Sequence, residues 1–124
     1  MEVTVVFAWV LILVGIVYGA VLGLGFVSEH WLGGYGSWRR RLLRLGHIAC
    51  FGMAALNLAC AWTLGDQVAE SQGVMFAAWL LGIAGVSMPA VCVLSAWRQT
   101  LRHAFVLPVL SAAAGCVVVI GVLA

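Results

Sequence analysis

Three histidines, His30, His47 and His103, hold most of the chemistry this sequence could perform. Imidazole ligates haem iron, binds metals and moves protons near neutral pH. His47 and His103 sit close to the same end of two different apolar runs. That is how helical bundles present paired axial ligands to a b-type haem. Arg44, Arg98 and Arg102 are near enough in sequence to pair with haem propionates, and His30 is an equally available second ligand. A quinone headgroup near His47 is a related reading. The plainer one, which the sequence favours, is a packing or interfacial histidine bonded to a backbone carbonyl.

Other reactive groups point away from catalysis. No apolar run contains an Asp, Glu or Lys in its interior, and those are the groups that proton-coupled exporters and ion pumps place at depth. Cys50, Cys60, Cys92 and Cys116 form no C-x-x-C pair, which excludes a dithiol redox motif and a zinc ribbon and leaves four small packing residues. Phosphate-binding loops, HExxH and GxSxG are missing as well. An enzyme is therefore not expected. Asn57 lies mid-run, where an amide bonds helices together. His47, Cys50, Ala54, Asn57 and Ala61 fall on one narrow stripe of mostly small side chains, so His47 and Asn57 are expected to point inward.

The elements that carry these residues follow from composition. Of 124 residues, 65% are apolar and 8% charged, more apolar surface than a soluble domain of this size could hide. Four apolar runs, residues 3–27, 42–64, 74–97 and 104–124, each come near the roughly 20 residues that cross a bilayer as a helix. Four strands could not close a barrel, so helices are required. Short connections make successive helices neighbours. The expected fold is all-α: one transmembrane domain, an up-down four-helix bundle.

All six basic residues are arginines: Arg39, Arg40, Arg41, Arg44, Arg98 and Arg102. They flank the spans at the first and third connections, while the second, Gly65 to Gly73, holds Asp66 and Glu70 only. Positive loops stay inside. Loops 28–41 and 98–103 are thus expected in the cytoplasm and both termini on the periplasmic side. The arginines serve as topology anchors on anionic lipids; they do not stripe a soluble surface as a nucleic-acid binder's would. Arg39 to Arg41 reads as a basic loop, with the second helix starting near Leu42. Trp31, Tyr35, Trp38 and Trp97 form one interfacial belt, with Trp9, Trp62 and Trp79 towards the other end. The first run lacks a basic leader and a small-x-small cleavage site, so it is expected to stay in the protein. Arginine without lysine, with abundant Ala, Gly, Val and Trp, suggests a GC-rich bacterium and hence its inner membrane.

Packing signals are glycines. Gly15, Gly19 and Gly23 make a ridge on the first helix; Ala78, Gly82, Gly85, Pro89, Cys92 and Ala96 make a seam on the third. Pro89 predicts a kink, with Ser87 placed to occupy a freed carbonyl. Pro108 marks the start of the last helix, with residues 103–107 as an interfacial approach.

In size and topology the chain is similar to small four-helix bacterial membrane proteins, such as DoxX-like proteins and small subunits of respiratory complexes. It lacks the first-helix glutamate of four-helix drug exporters, the motif-bearing first helix of fluoride channels, and the C-x-x-C of disulfide-forming oxidases. The functional expectation is a non-catalytic subunit or accessory protein of a larger inner-membrane assembly, such as a respiratory one. The alternatives are a haem-b electron carrier using His47 with His103, and a small channel or transporter built as a homo-oligomer.

Overall fold

The computed structural model describes residues 1–65 and 71–124, all in helices and their connections. Four long helices carry the chain: α1 (Glu2–Gly25), α2 (Trp38–Leu64), α3 (Gln72–Trp97) and α4 (Val106–Leu123). All four are long and apolar enough to cross a membrane, the fourth taken from Gln99 to Leu123. The arginine-free connection lies mostly outside the described residues.

Two boundaries differ from the expectation. The first is the start of α2. Ser37 caps it, its Oγ accepting from the Arg40 amide at 3.3 Å, so Arg39, Arg40 and Arg41 are helical and not a loop. Cationic side chains oppose the positive N-terminal end of a helix dipole, and hydropathy alone therefore starts the helix too late. A good cap and partners for two of the arginines outweigh that cost. The second is α4, which is preceded by a 3-10 segment, Gln99–Phe105, and carries Pro108 in its first turn, where no intrahelical donor is lost.

The helices pack in chain order: α1 on α2, α2 on α3, α3 on α4. α1 meets α3 at few points, and α1 and α4 share at most a passing contact. Burial tells the same story. α1 buries one stripe, Ala8, Leu11, Gly15 and Leu22, and α4 another, Pro108, Ser111 and Gly115. α2 and α3 bury two flanks each. The four helices thus form an open row and not a closed square, in which every helix would bury two flanks.

Glycine makes the close approaches. A Cβ on Gly15 would lie 2.9 Å from the Phe51 ring and 3.1 Å from Cys50 Cβ, and one on Gly19 would strike the His47 ring. Gly115 receives Leu81, beside a 2.7 Å bond from Ser111 Oγ to the Leu80 carbonyl. Gly23, third in the α1 ridge, faces nothing within 4 Å. The α3 seam also divides. Gly85 is filled by Phe7 and Leu11 of α1, while Gly82 faces open space. Pro89 lies inside α3. Ser87 bonds its own i−4 carbonyl, Ile83, at 2.7 Å, and not the carbonyl of Gly85 that the proline frees.

Candidate functional site

His47 projects from α2 towards α1, as its small-sided stripe predicts. Gly19 leaves the notch that admits the imidazole, and two rings pin it edge-on: Tyr18 at 6.0 Å and Phe51 at 5.2 Å between centroids. Gly46, beside it, makes room for Tyr18; a Cβ there would lie 2.8 Å from the phenol oxygen and 3.1 Å from Cys92 Cβ. His47 Nδ1 and Tyr18 Oη are both buried without a hydrogen-bond partner. Tyr18 is thus the neighbour that sequence reading left unassigned. Its signal was its place one residue before Gly19 on the same ridge.

The other histidines are elsewhere. His103 is exposed on the 3-10 segment that packs on α3 and α4, and His30 is exposed beside a 3-10 turn, Trp31–Gly33. The His47 ring meets the Tyr18 and Phe51 rings edge-on, while His103 is exposed. No three His, Cys, Asp or Glu side chains converge on a metal-sized site among the described residues. The four cysteines are free, three buried and Cys116 half-buried.

At the arginine end, one of three consecutive arginines turns inward. Arg40 is only 3% exposed. Its Nη1 donates to the Glu29 carbonyl at 3.2 Å, and its guanidinium lies 4.7 Å from the Phe26 ring centre, 5.8 Å from Trp31 and 6.0 Å from Tyr35. Cation–π attraction and a charge-assisted bond offset the desolvation of the buried charge. The segment it holds reverses sharply: Leu32, Gly33 and Gly34 have φ of 55°, 90° and 93°. Two glycines take that geometry freely, and Leu32 takes it under strain.

Neighbouring groups extend this arrangement. Arg44 lies 4.1 Å from the Tyr35 ring centre and donates to the Tyr35 carbonyl at 3.3 Å. Trp38 Nε1 donates to the Ser95 carbonyl at 2.9 Å, and Arg39 lies 5.6 Å from the Trp97 ring centre. Trp31, Tyr35, Trp38 and Trp97, expected as a lipid belt, therefore also hold the protein together. Arg41, Arg98 and Arg102 stay exposed, as does Arg39.

The third polar centre is Asn57, fully buried between α2 and α3. Its Nδ2 donates to the Met53 carbonyl at 2.8 Å and across to Leu81 of α3 at 3.2 Å, the interhelical bond its mid-run position predicts. Its Oδ1 has no partner. Asn57 also reaches the wall of a groove of about 750 Å³ between the first turns of α1 and the exposed face of α3. Phe7, Ala78, Trp79, Gly82 and Ser87 are among its other walls.

Compared with protein-family models, with curated proteins and with solved structures, the chain matches none.

Proposed function

We propose that this protein is a non-catalytic subunit or accessory protein of a larger assembly in a bacterial inner membrane, such as a respiratory one. In this reading the helices run up and down, both termini face the periplasm, and loops 28–41 and 98–103 lie in the cytoplasm. There Arg39, Arg41, Arg98 and Arg102 meet anionic headgroups.

One observation carries the reading: α1 and α4 are each buried along a single stripe. In lipid, helices associate through packing and not through escape from water. A row with both ends open leaves two whole helix flanks for other membrane-spanning helices. Gly23 on α1 and Gly121 on α4, with nothing in front of them, would let such a helix approach closely. The interior polar groups fit the same role. Asn57 and Ser111 bond across helices, and Ser87 and Thr63 bond within their own.

Extraction in mild detergent followed by native electrophoresis tests the proposal. The expected result is co-migration with other membrane proteins. A stable lone species with an activity of its own would sink it, and a pure homo-oligomer would favour the channel reading. For the haem alternative, purified protein is expected to show no Soret band. Of the polar residues a transport path would need, Asn57 and Ser87 share one groove, and Ser95 and Ser111 are not among its walls.

A further inference from the structure

We propose that the cleft between the start of α2 and the end of α3 is a discrete site for one anionic phospholipid, its phosphate held by Arg39. The proposal rests on reading the four helices as membrane spans. It goes beyond a general attraction of arginines to headgroups, because it gives one arginine of the run a task that its neighbours lack.

The three consecutive arginines stand in three environments. Arg40 is buried, its guanidinium committed to the Glu29 carbonyl and the Phe26 ring. Arg41 is exposed and is not among the walls of the cleft. Arg39 is exposed too, but it lines the cleft, which has a volume of about 510 Å³. Its guanidinium lies 5.6 Å from the ring centre of Trp97, which lines the cleft from α3. Trp38 Nε1 bonds the Ser95 carbonyl at 2.9 Å and ties the two helices together beside it. The cleft is thus built by the fold.

The walls select an anion. Arg39 is the only charged residue among them, and no Asp or Glu opposes it. Ser37 and Gln99 add neutral polar groups. The Ser37 Oγ accepts the Arg40 amide at 3.3 Å, so its proton is left to donate. A guanidinium with neutral donors beside it suits a phosphate, which offers several acceptor oxygens. A choline headgroup would bring a second cation next to Arg39, and the Trp97 ring that could attract it already meets that guanidinium. A lipid of net negative charge is therefore favoured over a zwitterionic one.

The remaining surface favours a lipid over a free anion. Leu32, Trp38, Ala96 and Trp97 make much of the wall apolar. Leu94 lies about one turn back along α3 from Trp97, on the same face, and both are more than half exposed. An acyl chain leaving the cleft towards mid-membrane would lie on them. The volume also falls within the range of small-molecule sites, roughly 300 to 1,000 Å³.

Native mass spectrometry of the full chain in detergent micelles, titrated with phosphatidylglycerol or with phosphatidylcholine of the same acyl chains, tests the site. The first phosphatidylglycerol is expected to bind at least about tenfold tighter, the worth of one charge-assisted hydrogen bond. Arg39→Ala should lose this preference, and Arg41→Ala, which removes the same charge outside the cleft, should keep it. Gln99→Glu is a second blocking variant, since it sets a carboxylate on the wall from an exposed position. Thr100→Glu adds the same charge one residue on, off the cleft, and should keep the preference. Equal affinity for the two lipids would overturn the proposal. So would equal losses within each pair of variants, which is the mark of diffuse attraction. Millimolar inorganic phosphate should leave the lipid bound; full displacement would make this a free-anion site and overturn it as a lipid site. Carbonate washing of membranes tests the underlying reading separately. A chain released by carbonate would overturn both, and a retained chain without the lipid preference would overturn the site alone.

Discussion

Gly19→Ala and Gly23→Ala are the same change four residues apart on one helix, and the structure gives them opposite signs. A methyl on Gly19 strikes the His47 ring; one on Gly23 meets nothing within 4 Å. His47 cannot easily retreat, because Tyr18 and Phe51 hold it edge-on at 6.0 and 5.2 Å. Overpacking of this kind costs about 1–3 kcal/mol. Against it stands the helix preference of Ala over Gly, up to about 1 kcal/mol in water. At Gly19 the clash outweighs the preference, for a net loss of up to about 2 kcal/mol. At Gly23 only the preference acts, and stability is unchanged or rises by up to about 1 kcal/mol.

Titrating helicity with SDS in mixed micelles measures both variants on one scale. The cycle closes with His47→Ala: without the imidazole, Gly19→Ala should lose its penalty, a coupling of at least about 1 kcal/mol between contacting residues. A Gly19→Ala protein as stable as Gly23→Ala would refute the placement of His47. So would a penalty that persists in the His47→Ala background.

Three further outcomes follow from the polar groups. Arg40→Ala should destabilise by about 1–3 kcal/mol, since a charge-assisted bond and stacking on Phe26 are lost while the cost of burying the charge is recovered. Arg41→Ala, on an exposed side chain, should change stability by less than about 0.5 kcal/mol, and limited proteolysis should cut residues 28–37 faster in the first variant only. Asn57→Leu should range from unchanged to about 2 kcal/mol more stable than the unmodified chain, because two bonds near 0.6 kcal/mol each are lost while an unpaired oxygen worth about 1–3 kcal/mol is removed; a loss above about 2 kcal/mol in the same SDS titration would mean that Oδ1 is paired within the fold. In a cysteine-free background, Gly36→Cys should react with an impermeant maleimide only from the cytoplasmic side and Ala124→Cys only from the periplasmic side; the reverse pattern would invert the orientation.

How much of this was written in the chain depends on which physical signal each feature leaves. The helices were legible because an apolar run of bilayer length has few alternatives. The inward turn of His47 and Asn57 was legible because a small-sided stripe faces other helices. Arg40 was not: Arg39, Arg40 and Arg41 are one residue type in succession. Treating them as a loop removed the helical phase that sends one inward and two outward. Phe26, Trp31 and Tyr35 around Arg40 were the available clue, and their position at the interface made a belt the simpler reading.

The open row has a deeper reason for being hidden. In water, a helix face that meets the core is apolar and the opposite face polar, so the pattern reports the neighbour. In lipid both faces are apolar. Val10 and Leu13, half or more exposed, are the same kind of residue as buried Leu11 on the same helix. Only glycine and serine break this degeneracy, and they mark where a helix can come close, not whether one does. Gly15, Gly19 and Gly23 share one spacing, yet α2 fills the notches of the first two and leaves the third. Their difference lies in what stands opposite: Phe51 and His47 face the first two. Gly82 and Gly85 divide in the same way, because Phe7 reaches one and not the other. Packing inside a membrane is thus encoded in pairs, a notch on one helix and a ring on the next.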